Sequence, residues 1–180
     1  ILTLRLESEC IMTVYDPPVS TYIPLQTITL SSSASSVVFA SIPSTYRDLV
    51  LVANYTVASA ANSGKAYLNT DTSSSSIYTG VRMKAYNTGS PTSNTNGNAI
   101  RWEIQTTDPV VLQMQIMDYS ATDKHKTILV RADSGSTQTY AGTEAGASRW
   151  ARTDAVDTIT LALGTDFQSG STFSLYGIEA

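Results

Sequence analysis

The stretch VLQMQIMDY, residues 111–119, places Leu112, Met114 and Ile116 on alternate positions with Gln113 and Gln115 between them. Successive side chains of an extended strand point to opposite faces, whereas a helix needs an apolar repeat near 3.6, so this alternation predicts a half-buried strand. The same period recurs along the chain. YIPLQTITL (22–30) sets Ile23, Leu25 and Thr27 against Gln26 and Thr29, and RDLVLVANYTV (47–57) is a denser apolar run, as expected of a strand covered on both faces. KAYLN, YTGVRMKAY, AIRWEIQ, KTILVRA, AVDTITLAL and TFSLYGI read as further strands. In TDAVDTITLAL the β-branched Val156, Thr158, Ile159 and Thr160 favour a strand over a helix.

Between these runs lie SSSASS, NTDTSSSSIY, NTGSPTSNTNGN, SATDKH and DSGSTQTYAGTEAG, all of turn and loop chemistry. About nine or ten short strands with turns between them predict an all-β protein, an antiparallel β-sandwich of the jelly-roll kind. Val50, Leu51, Val52, Met114, Ile116, Ile128, Val130, Ile159, Leu161, Phe173 and Leu175 are expected to share one core. The closing TFSLYGI is expected to enter the sheet between other strands after a left-handed turn at Gly170, with Phe173 and Leu175 inward and Tyr176 on the other face.

Length sets the domain count: 180 residues fill one core well, and two domains would each be small. Residues 1–21 read as an N-terminal arm and 22–180 as one sandwich domain. Pro17 and Pro18 deny the arm a helix or a central strand. The arm is therefore expected to lie on a neighbouring subunit or shell, with Leu4, Leu6, Ile11, Val14 and Tyr15 as its interface residues. Met12 opens a more conventional start, MTVYDPP, so residues 1–11 read as an upstream extension. That opening carries Arg5, Glu7 and Glu9, too much charge in too short a run to span a bilayer, and it lacks the ordered regions of a secretory signal. No membrane insertion is expected.

Charge narrows the partners. Charged residues make up 14% of the chain, against roughly 25% in an average soluble protein, and Ser and Thr take their place. A net charge of −4 argues against nucleic acid, which selects for a basic patch. The single Cys10 cannot form an internal disulfide, so the fold rests on its core or on partner subunits.

Several segments imitate active sites. ADSGST, at Asp133, Ser134 and Gly135, matches the Asp-Ser/Thr-Gly core of aspartic proteases, but one copy supplies half a dyad and Arg131 and Ala132 stand where apolar residues are expected, so an ordinary turn is the reading. His125, the only histidine, lies between Lys124 and Lys126 at a hairpin tip, and no GxSxG elbow accompanies it to build a triad. Asp71, Asp123 and Asp133 lack the spacing of a calcium loop, and a lone His and a lone Cys far apart make no transition-metal site, so these carboxylates read as solvated turn residues. A glycosidase needs only two carboxylates, and Glu103, beside Trp102, with Glu144 or Asp118 supplies candidates. Trp102, Trp150 and the ten tyrosines fit either a sugar-stacking platform or core and interface, and the latter is favoured. The NYT sequon at Asn54 falls within an apparently buried strand and reads as chance. No catalytic residue, metal ligand or cofactor site is assigned.

IPSTYRDLVLV, DYSATDKHKTILVR and GASRWARTDAVDTITLALGTDFQSGSTFSLYGIEA resemble, in that order, segments of small β-rich virion structural proteins of tailed bacteriophages, many from marine and cyanobacterial phages. The resemblance covers residues 37–180 in separated pieces, and the hairpin and the C-terminus are its most specific parts. It implies structural display in a virion, without catalysis, in contact with other copies of the chain and with capsid or tail proteins. A capsid decoration (cement) subunit is the expected role, because the chain has neither a heptad shaft nor a second domain. A tail-fibre or receptor-binding module recognising host glycans is the alternative, and a glycosidase comes third. Low charge with abundant Ser and Thr fits such a coat independently, since it allows polar packing at modest desolvation cost.

Overall fold

A computed structural model describes residues 20–59, 63–72, 77–86, 92–103, 107–134 and 142–179. Leu4, Leu6, Ile11, Val14 and Tyr15 of the expected arm lie outside the described residues. Within them there are twelve strands and no helix. In chain order these are β1 (Tyr22–Thr29), β2 (Ala34–Phe39), β3 (Asp48–Tyr55), β4 (Gly64–Leu68), β5 (Tyr78–Tyr86) and β6 (Thr92–Asn96). The second half supplies β7 (Ile100–Trp102), β8 (Val110–Met117), β9 (Lys126–Ser134), β10 (Gly142–Trp150), β11 (Ile159–Phe167) and β12 (Thr172–Ile178).

All pairings are antiparallel. An eight-stranded sheet runs β1-β12-β3-β8-β9-β10-β5-β6, and a four-stranded sheet runs β2-β11-β4-β7. The inner faces of both contribute to one buried apolar cluster, so the chain is an all-β antiparallel sandwich, as the periodicity predicts. β9 alternates buried and exposed residues over its whole length, and β8 nearly so, which is how a one-residue register slip is excluded: it would turn every apolar side chain to water. The short β7 lies over the inner face of β9, β10 and β5, where the larger sheet extends past the smaller one.

Aromatic rings join the two layers. Tyr55 on β3, Phe167 on β11 and Phe173 on β12 form an edge-to-face and stacked trio with centroids 5.0–6.0 Å apart. Such pairs add about 0.5–1.5 kcal/mol each beyond their area. Trp102 Nε1 donates to the Tyr55 hydroxyl at 2.7 Å, which satisfies both polar atoms in the core, and burial pushes the Tyr55 phenol well above its ordinary pKa. Gly64 faces Trp102 across the β4–β7 pair, and a Cβ there would fall inside the indole.

Two expectations are corrected. Val50 and Val52 do not belong to the core: both point to the outer face of the larger sheet, Val52 exposed and Val50 covered by neighbours on that face. The strand β3 is therefore buried on both faces only over its first half. Asn54, read as buried, is exposed on the same face. The other nine expected core residues are buried in the cluster. Three strands escaped the sequence reading: β2, β6 and β10 fall on stretches taken as loops, wholly or in part.

Candidate functional site

The two carboxylates singled out for glycoside chemistry do converge. Glu144 sits on the inner face of β10 opposite Lys84 of β5, and Glu103 follows the end of β7. Arg82 lies between them: its Nη1 is 3.3 Å from Glu144 Oε1 and 3.7 Å from Glu103 Oε2. Lys84 Nζ pairs with Glu103, and the Glu103 amide donates to Glu144 Oε2 at 3.0 Å. All four side chains are largely buried. Gly146 leaves the room that the Arg82 stem fills, since a Cβ there would sit 3.1 Å from Arg82 Cγ. Burial pushes the Glu144 carboxyl above the ordinary carboxylate range, and the Arg82 guanidinium acts against that shift.

This arrangement does not fit glycoside hydrolysis. That reaction needs two carboxylates facing across a sugar, about 5–9.5 Å apart, whereas these share one guanidinium beside a cavity of about 10 Å³. Such a space admits about one water. The cluster is an internal clamp that ties β5, β7 and β10 together. Asp118, the other acid considered, is half-exposed on the β8–β9 turn and pairs with Lys124 at 3.3 Å.

The remaining singled-out residues are structural or solvated. Trp150 is buried and donates from Nε1 to Asp71 at 3.2 Å, and Arg152 also binds that carboxylate, so Asp71 is a structural acceptor instead of a solvated turn residue. Trp102 is buried as well, which leaves no indole of either residue for stacking on a sugar. His125 is exposed in the β8–β9 turn. Its neighbour Lys126 is buried, and its Nζ donates to the carbonyls of Ala121, Lys124 and Thr153 at 2.5–3.2 Å, holding that turn onto the 151–158 loop. Asp133 and Ser134 end β9, with Asp133 exposed on the outer face. Among the described residues no three His, Cys, Asp or Glu side chains gather as a metal site, and no helix is long and apolar enough to cross a membrane.

The feature that sequence reasoning missed is the outer face of the larger sheet. Register aligns its outward side chains in rows: Val52, Gln113, Arg131, Ala145 and Met83; Val50, Gln115, Leu129, Ala147 and Val81; Asn54, Val111, Asp133, Thr143 and Ala85. Six of the eight exposed large apolar side chains among the described residues lie here, Met83 at 65% and Val111 at 51% exposure among them. Ala and Thr between them keep the face low. The signal was period two in GTEAGASRW, obscured because Gly, Ala and Ser are poor strand formers. The chain matches no protein-family model, and no curated protein matches it.

Proposed function

We propose that the chain is a non-enzymatic structural protein of a bacteriophage virion, a decoration (cement) subunit of the capsid surface. The observation that carries this reading is the strand order. With β5, β6, β9 and β10 set aside and the other eight strands renumbered along the chain, the sheets run 1-8-3-6 and 2-7-4-5. We read this as the double Greek key of a jelly roll, an architecture used by viral capsid proteins and by lectins. The two inserted pairs widen one sheet only, and so enlarge an outer face with few charges that suits contacts with other subunits. The segment resemblance to tailed-phage virion proteins supports the same reading. The arm, through Leu4, Leu6, Ile11, Val14 and Tyr15, is proposed to engage a neighbouring subunit or the shell.

Quantitative mass spectrometry of gradient-purified particles of the encoding phage tests the assignment. A decoration subunit is expected in a copy number commensurate with the capsid protein. A few copies per particle would favour a tail-fibre or glycan-binding module instead, and absence from the particle would refute a virion role.

A further inference from the structure

We propose that the Lys84 side chain condenses with the Glu103 carboxyl into an isopeptide bond that joins β5 covalently to the residue after β7, with Glu144 as the proton carrier. The inference concerns the interior of the sandwich and stands whatever particle the chain belongs to.

The three groups meet at one small space. Lys84 Nζ is in contact with Glu103 Oε2, with 12% and 13% of the two side chains exposed. An amine touching a carboxyl oxygen is one bond away from the carbon it would attack, close to the about 3–3.5 Å of a reactive geometry. Lys84 stands directly opposite Glu144 in the β5–β10 register, so their Cβ atoms are about 4.5–5.5 Å apart. The Glu103 amide and Arg82 hold the Glu144 carboxylate in place. Lys84, Glu103 and Glu144 line the same cavity of about 10 Å³, room for the one water that must leave.

The reaction balances without any further reactant. The ammonium of the ion pair first passes one proton from Nζ to Oε2, which leaves a neutral amine against a carboxylic acid. Nζ then adds to Cδ, and Arg82 Nη1, 3.7 Å from Glu103 Oε2, stabilises the negative charge that builds on the carboxyl oxygens. Glu144 takes a second proton from Nζ and delivers it to the departing hydroxyl, so the Cδ–Oε2 bond breaks and water leaves. The amide keeps the third Nζ hydrogen. Burial pushes the Glu144 carboxyl above its ordinary range, which suits it to hold a proton in transit. Desolvation favours the product: four buried charges become two, and the Arg82–Glu144 pair that remains is neutral overall. The bond also has a place in the fold, because β7 is only three residues long and pairs with a strand on one side alone.

Mass spectrometry of the denatured full chain tests the proposal, with circular dichroism beforehand to show the β fold. The wild type is expected to be lighter than its sequence mass by one water. Trypsin cleaves after Arg82, Arg101 and Lys124 but not after an acylated Lys84, so residues 83–101 should appear joined to residues 102–124 in one branched peptide. Lys84→Met should show no loss of water. Glu144→Gln keeps an acceptor for the Glu103 amide but carries no proton across, and positioned acid–base groups contribute about 10²–10⁴-fold, so most of its chains should stay at sequence mass. A folded wild type at its full sequence mass would overturn the proposal. So would a lost water that maps to another segment, or a Glu144→Gln variant as completely linked as the wild type in cells harvested at the same time after induction.

Discussion

Leu175 shows how much one side chain carries. It is 1% exposed on a strand paired on both sides, and its neighbours belong to the close-packed cluster between the sheets. Leu175→Ala removes buried methyl groups from a site that can relax little, so urea unfolding should report a loss of about 2–5 kcal/mol. Glu144 makes a different demand. Its folded-state pKa is raised by burial, so folding favours its protonated form. Its contribution to stability is fully present below the ordinary carboxylate pKa and is lost as pH rises through the folded value. Glu144→Gln keeps an acceptor for the Glu103 amide but cannot ionise. The stability of the wild type relative to Glu144→Gln should therefore fall as pH rises from about 4 toward neutrality, and a difference that grows over that range would contradict the assigned burial.

At the scale of elements, β12 is decisive. It lies between β1 and β3, pairing with residues nearly the whole chain away, and Gly170 at φ +86° makes the turn that admits it. Gly177 lies flat against the Tyr46 ring, where a Cβ would clash. Deleting residues 172–180 would leave β1 without a partner strand, one edge of β3 open and the Tyr55–Phe167 pair uncovered, so the truncated protein should be insoluble; a soluble, cooperatively melting product would show that β12 is dispensable. This strand was legible in the sequence, as were β5, β8 and β9, because their apolar residues alternate with polar ones. β10 was not, since its inner face carries Glu144, Gly146 and Ser148, and such residues announce a core only once Arg82 and β7 are in place. The carboxylate pair was visible as residues, but its burial under one guanidinium depends on a strand that the sequence disguised. The valines of β3 misled for the opposite reason: a β-branched run does not reveal which of its faces stays uncovered.

At the scale of the whole molecule, the two inserted strand pairs matter most. They widen one sheet past its partner; the overhang is tied by the Arg82–Glu144 clamp inside, and the outer face of the widened sheet carries most of the exposed large apolar side chains of the described residues. A subunit of this shape makes sense on a surface crowded with copies of itself, which is the proposed role. If the proposed role holds, a phage encodes the chain, and cryo-electron microscopy of that phage's capsid shells, purified without this chain and then incubated with it, tests the role most directly. The account predicts new density of sandwich size at regular positions on the outer shell; density confined to the tail, or shells left bare at saturating protein, would contradict it.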